Sequence, residues 1–323
     1  MINAKADFFP PVFILLLGIA LLIFQGCCRR HEPAPAGYFN PADFNADSAM
    51  AEIKELTAIV PRHSGSPGAR RAAQHLFERL RAAGVASSLD EFAEETPAGR
   101  VVFRNVIGIL PGRAAGGGSV KEWIVLGAHY DAKAGIAENF QGANDSGSGV
   151  GVLLEMARVM KQSARTPPVN FLFAFFDGEE CLRRYGKNDG LHGSRRLAEQ
   201  LARDGRACKV RAVIILDMVG DRDLNLTIPR NSALSLVSAL FSAAEKEGAR
   251  GKFALSSGEI LDDHQPFLSA GMPAIDIIDF EYGSAPGLND YWHTPEDTID
   301  KLSVQSLATV GRTVLRLLDG LMR

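Results

Sequence analysis

An apolar run that ends in a cluster of acids constrains the fold of this chain more than any other feature. Residues Phe171 to Phe176 have the sequence Phe-Leu-Phe-Ala-Phe-Phe, and the run stops at Asp177, Glu179 and Glu180. Apolar residues without alternation are typical of a strand buried on both faces of a parallel sheet. Open α/β sheets bind ligands at the carboxyl ends of such strands. Because neighbouring carboxylates repel one another unless they share a cation or a proton, the run predicts a metal site there.

Two further segments offer metal-ligating side chains at comparable positions. The apolar segment Trp123 to Gly127 is followed by His129, and a turn rich in Gly and Ser then presents Asp145 just before a predicted helix. The third segment, Tyr291 to Asp297, contains His293. Imidazole and carboxylate groups are common ligands of zinc in proteins. Three such segments, each at a strand or loop end, indicate one metal centre.

The order of apolar segments predicts a single-domain α/β fold. We expect a three-layer sandwich with a mixed, mostly parallel central sheet, because strands and helices alternate along the chain. A pair of segments near residues 87–110 predicts an antiparallel hairpin at one edge. Ser66 and Pro67 have the residue types favoured at the N-cap and first position of a helix. The predicted strands are 101–110, 123–128, 169–176, 211–216 and 274–278, and the predicted helices are 69–83, 149–162, 193–203, 233–247 and 304–322.

Composition agrees with a globular enzyme. The chain has 323 residues, is 46% hydrophobic and carries a formal net charge of −3, so it can bury one large core. A nearly balanced charge gives no electrostatic reason to expect nucleic acid as a partner. The catalytic domain is predicted to span residues 46–323.

The N-terminal residues differ from this domain. Val12 to Phe24 has the length of a signal-peptide apolar region, with Lys5 before it and Gly26-Cys27 after it. Residues 1–27 are therefore predicted to be a signal peptide, a lipoprotein signal or an uncleaved membrane anchor, and residues 28–45 a tether. The expected location is exported, periplasmic or extracytoplasmic, with membrane contact only through this N-terminal segment.

At these motifs the chain resembles the zinc aminopeptidase superfamily with its phosphorylase/hydrolase-like fold, and within it the glutaminyl cyclases, from about Ala51 to the C-terminus. The resemblance implies that Asp145, Glu180 and His293 hold zinc and that Glu179 is the general acid/base. It further implies one zinc per chain and substrates that are peptides or proteins with an N-terminal glutamine. The implied reaction forms pyroglutamate and releases ammonia.

Several segments are similar to the cyclase branch in particular. The insertion from Cys181 to His192, between the paired glutamates and the next Gly-Ser turn, is cyclase-like. The segment Asp262 to Phe267 resembles the one whose second acid, here Asp263, hydrogen-bonds the catalytic glutamate in the cyclases. We expect Asp263 and Asp217 to form a carboxylate network with Glu179 that shares a proton and raises the pKa of Glu179.

Two aromatic residues match the substrate pocket of the cyclases. Trp292, directly before His293, matches an aromatic wall of that pocket, and Tyr185 stands where the insertion of animal cyclases carries a tryptophan. Leu288 stands near the pocket mouth in place of an aromatic residue.

Alternatives remain open at the level of the sequence. In the two-metal aminopeptidases, the positions of His129 and Asp217 hold a second zinc ion, and the remaining site residues would be the same. A catalytically silent binding protein on this fold is a third possibility. A disulfide between Cys181 and Cys208 is permitted in an exported protein but is not indicated by two cysteines.

Overall fold

The structure is a computed structural model that describes Met1, residues 37–114, residue 116 and residues 118–322. Its folded unit begins at Tyr38. The predicted signal or anchor, apart from Met1, and residues 28–36 of the predicted tether lie outside the described residues. Within the described part of the chain, none of the helices has the length and apolar character needed to cross a membrane.

Eight strands and seven α-helices make up the folded unit. The strands are β1 (Ala86–Thr96), β2 (Gly99–Leu110), β3 (Trp123–His129), β4 (Asn170–Phe176), β5 (Val210–Asp217), β6 (Leu226–Ile228), β7 (Phe253–Leu255) and β8 (Ala274–Ile278). The helices are α1 (Ala46–Thr57), α2 (Pro67–Ala82), α3 (Gly149–Gln162), α4 (His192–Arg203), α5 (Leu234–Lys246), α6 (His264–Ser269) and α7 (Val304–Leu321). Every predicted strand and helix is present, with ends that differ by at most two residues.

The central sheet has six strands in the order β1-β2-β4-β3-β5-β8. Strands β4, β3, β5 and β8 are parallel, whereas β1 and β2 form an antiparallel hairpin that joins the sheet through β2. This arrangement confirms the predicted mixed, mostly parallel sheet with a hairpin edge. Strands β6 and β7 form a separate parallel pair that the sequence analysis did not predict.

Strand β4 shows why its apolar run does not alternate. Phe171, Phe173 and Phe175 belong to a core cluster with helices α1, α2, α3, α5 and α7, while Leu172, Ala174 and Phe176 face a second cluster with α4 and α6. Side chains of a strand point alternately to opposite faces, so both faces of β4 are covered. The predicted three-layer sandwich is confirmed.

The folded unit begins earlier than residue 46. Residues 38–45, assigned above to the tether, pack against the domain. The backbone amide of Tyr38 donates to Asp319 Oδ1 over 2.8 Å, and Phe39 and Phe44 are buried. Gly311 in α7 leaves room for the Phe44 ring, because a Cβ at Gly311 would lie 2.3 Å from it. Helix α1 follows directly and was not predicted. The position of residues 38–45 depends on tertiary contacts, which leave no local pattern in the sequence.

Candidate active site

The predicted site residues meet at the carboxyl ends of adjacent strands. In the sheet, β3 lies between β4 and β5. Strand β3 ends at His129 and β5 at Asp217, and the acidic segment that contains Glu179 and Glu180 follows β4. Because the three strands are parallel, their carboxyl ends lie side by side. This edge is where open α/β sheets bind ligands.

Asp145, Glu180 and His293 form a group that can hold a metal ion. One ligand atom from each lies within 4.8 Å of the others. His293 Nε2 is 3.0 Å from Glu180 Oε1 and 3.3 Å from Asp145 Oδ2. Imidazole nitrogen and carboxylate oxygen are both zinc ligands, and three protein ligands leave one position open at a catalytic zinc ion. The structure therefore brings together all three predicted ligands.

The electrostatics of this group also fit a cation. Burial raises the pKa of Glu180, and the negative charge of Asp145 raises it further. Burial opposes the protonated form of His293, but its hydrogen bonds to Asp145 and Glu180 outweigh this effect and raise its pKa to about 9. Two neighbouring buried carboxylates need a positive charge between them, and the side chains present fit a divalent metal.

His129 lies at the centre of a second group. Its Nε2 atom is 3.1 Å from Asp145 Oδ1 and 3.3 Å from Asp217 Oδ1, and ligand atoms of these three residues also lie within 4.8 Å of one another. Asp145 belongs to both groups. Burial raises the pKa of Asp217 to about 7, although the hydrogen bond from His129 opposes the rise. The geometry fits one metal ion with a hydrogen-bonded neighbour, or two ions that share Asp145.

Two buried aspartates that the sequence analysis did not assign hold the ligand segments in place. Both carboxylate oxygens of Asp131 accept hydrogen bonds from the backbone amides of residues 179–180, each over 3.2 Å. Asp297 accepts from the amides of residues 144–145 over 2.7 and 3.2 Å. The hydroxyls of Ser64 and Tyr282 also donate to Asp131 and Asp297, respectively. These partners lie in other segments of the chain, so the sequence does not show them.

Glu179 is a buried carboxylate that belongs to neither metal group. The hydroxyl of Tyr185 donates to it, 2.9 Å from Oε1 and 3.2 Å from Oε2. Burial raises its pKa well above the usual value; His129 opposes the rise, and the carboxylates of Glu180, Asp262 and Asp263 add to it. A carboxyl group with a raised pKa can both accept and return a proton near neutral pH.

The hydrogen bond predicted from Asp263 to Glu179 is not present. Asp263 is fully buried, and neither of its carboxylate oxygens has a hydrogen-bond partner among the described residues. Its neighbour Asp262 lines the cavity with Glu179 and Asp217 instead. The two acids precede the short helix α6, and adjacent side chains at a helix start point in different directions. The sequence shows that an acid faces the site but not which of the two it is.

A cavity of about 260 Å³ opens beside these groups. Its polar lining includes Asp145, Glu179 and His293, and its apolar lining includes Ile278 and Phe280. The predicted pocket residues Trp292 and Tyr185 both line it as well. Trp292 stacks on the ring of His293 with 3.9 Å between centroids, so the indole fixes the orientation of this imidazole.

The disulfide that the sequence permits between Cys181 and Cys208 is not formed, because both cysteines are free thiols.

Comparisons with known proteins agree with this geometry. The family model described as peptidase family M28 matches residues 105–318. A crystal structure of an Acidobacteriales bacterium glutaminyl cyclase superposes with a TM-score of 0.80 at 35% identity, over 90% of this chain and 98% of that one. The glutaminyl-peptide cyclotransferase of Bothrops jararaca is 30% identical over 78% of this chain and 76% of its own length. A Zn-dependent exopeptidase from Parabacteroides distasonis superposes with a TM-score of 0.71 at 29% identity, over 84% of this chain and 97% of that one. The chain belongs to peptidase family M28 and, within it, to the glutaminyl cyclase branch.

Proposed function

We propose that this protein is a glutaminyl-peptide cyclotransferase that converts the N-terminal glutamine of peptides and proteins into pyroglutamate and releases ammonia. The observation that carries the proposal is the position of Glu179. It is buried, lies in the same small cavity as Asp145 and His293, and belongs to neither metal group. Relatives that carry the name glutaminyl-peptide cyclotransferase support the same activity.

The residues divide into metal-binding and proton-transfer groups. Asp145, Glu180 and His293 would hold one zinc ion, which when bound acts as a Lewis acid on the γ-carbonyl of the substrate. Glu179 accepts a proton from the α-amine as the amine nitrogen bonds to the carbonyl carbon of the γ-amide. Glu179 then returns that proton to the nitrogen of the γ-amide as the carbon–nitrogen bond breaks and ammonia leaves. One carboxyl group is thus base and acid in turn.

The cavity suits a single glutamine side chain. Its volume of about 260 Å³ is smaller than the usual pocket for a drug-sized ligand. Ile278, Phe280 and Trp292 would contact the methylene groups and exclude water, which favours attack by the substrate's own amine over hydrolysis. A larger groove of about 810 Å³ shares Tyr185 and Leu261 with this cavity and has room for the peptide that follows the glutamine.

A two-zinc aminopeptidase is the second candidate, and the group of His129, Asp145 and Asp217 is the observation that favours it. In that enzyme Glu179 would activate a water molecule for hydrolysis of the first peptide bond. The substrate would be any peptide with a free N-terminus. Release of its first residue would distinguish this activity from cyclisation.

The two activities differ in their products. Incubation with a peptide that begins with glutamine should release one ammonia per peptide and leave an intact, blocked chain by mass spectrometry. The matched peptide with an N-acetylated glutamine should not react, because its nitrogen is no longer a nucleophilic amine. Amino-acid anilides should stay intact. Free amino acid or aniline in place of ammonia would contradict the cyclase proposal.

We also propose that residues 1–27 direct export and that Cys27 is lipidated. The support is the apolar segment Val12 to Phe24 followed by Gly26-Cys27. We expect the mature protein to start at Cys27 and to fractionate with membranes, and we expect Cys27→Ser to change this processing. Membrane-bound protein that retains an intact Met1 by mass spectrometry would favour an uncleaved anchor instead.

A further inference from the structure

We propose that Tyr185 is a positioning residue that orients the carboxylate of Glu179 for proton transfer, and that the insertion from Cys181 to His192 is shaped to hold its hydroxyl there. The proposal rests on the cyclase function and extends it by one residue. Its basis is the pair of distances from the Tyr185 hydroxyl to Glu179, 2.9 Å to Oε1 and 3.2 Å to Oε2.

Glu179 has few favourable neighbours apart from this hydroxyl. His129 attracts the ionised carboxylate, whereas the carboxylates of Glu180, Asp262 and Asp263 repel it. These three acids cannot donate a hydrogen bond to it when ionised. Among the described residues, Tyr185 supplies the hydrogen bonds that the Glu179 carboxylate receives. Without this donor, the flexible glutamate side chain would have no partner that selects one of its rotamers.

The loop around Tyr185 is held by its own hydrogen bonds. The carboxylate of Asp189 accepts from the backbone amides of residues 182–184 over 2.5 to 2.9 Å. The guanidinium of Arg195 on α4 donates to the carbonyl oxygens of Gly186, Lys187 and Gly190. The Asp189 contacts close the loop on itself, and the Arg195 contacts join its second half to α4, so both sets restrict the position of Tyr185.

Gly190 supports the ring of Tyr185 directly. It has φ +81°, a backbone conformation that favours glycine. A Cβ at this position would lie 2.4 Å from Tyr185 Cδ1. Any side chain at residue 190 would therefore displace the ring and with it the hydroxyl. The loop thus leaves one place for the tyrosine ring, and that place sets its hydroxyl against Glu179.

The decisive variant is Tyr185→Phe, which keeps the ring and removes the hydroxyl. The free energy of a hydrogen bond to a charged group typically corresponds to a factor of about 10 to 100 in a rate constant. We expect kcat for a glutamine-initiated peptide to fall by about this factor, with KM changed less than about threefold. Zinc content should stay equal to that of the wild type, because Tyr185 belongs to neither metal group. Tyr38→Phe, outside both cavities, is the matched control and should leave kcat unchanged.

A second variant tests the role of the loop. Gly190→Ala should lower kcat as Tyr185→Phe does, and the double variant should lose little beyond either single one, because both changes remove the same interaction. Wild-type kcat in Tyr185→Phe, or a loss that appears in KM alone, would overturn the inference while leaving the cyclase function intact. A wild-type enzyme that releases no ammonia would instead overturn the proposed function itself.

Discussion

Replacement of Glu179 by glutamine is expected to abolish turnover and to leave zinc bound. The change keeps the shape of the side chain but removes the group that accepts and returns the proton. Positioned general acid/base catalysis contributes about 10²- to 10⁴-fold to rates, so kcat should fall by at least that range. Glu179 belongs to neither metal group, and the zinc content measured by atomic absorption should therefore match that of the wild type.

Glu180→Gln is the matched control, because it makes the same chemical change one residue away. Glu180 lies 3.0 Å from His293 and belongs to the group of Asp145 and His293. Loss of its charge should weaken zinc retention during dialysis against a chelator. If Glu179→Gln lost the metal and Glu180→Gln kept it, the two roles would be reversed.

Purified protein is expected to hold one zinc ion per chain, and His129→Ala is expected to leave that ion in place. In a one-zinc cyclase, His129 would not bind the metal and would only hydrogen-bond the neighbouring carboxylates of Asp145 and Asp217. Removing such a partner typically costs about 10- to 100-fold in metal affinity, so the site should still fill when zinc is in excess. Zinc analysis on wild type and variant at equal protein concentration measures this directly.

The aminopeptidase alternative predicts a different pair of results. Two zinc ions per chain would occupy the groups that share Asp145, and His129→Ala would remove one of them together with most of the hydrolysis. Two tightly held ions, with release of free N-terminal residues from ordinary peptides, would disprove the cyclase assignment.

The sequence could predict the parts of this site that follow from strand ends and motifs. His129 and Asp217 end parallel strands, and Glu180 follows a third, so the position of the strands in the sheet brings these side chains together. The roles of Asp262 and Asp263 could not be separated, since both have the same chemistry and adjacent positions. Only the backbone direction before α6 decides which of them lines the cavity.

Other features depend on contacts between distant segments. Asp131 accepts hydrogen bonds from backbone amides at residues 179–180. The sequence does not show which of the nearby acids binds these amides. Phe44 is ordered because Gly311, far along the chain, leaves space for its ring. The hydroxyl contact of Tyr185 depends on the path of the insertion, which carries no helical or strand periodicity.

Asp297 has a consequence for how the metal centre assembles. Its carboxylate binds the amides of residues 144–145 and it lies four positions after His293 in the sequence, so one aspartate couples two ligand segments that are about 150 residues apart. This link helps the fold to hold Asp145 and His293 near each other, so part of the entropy of gathering the ligands is lost on folding. Such a site differs from small zinc-nucleated domains, in which the ion drives folding. We therefore expect the metal-depleted chain to keep its fold and to take up zinc again.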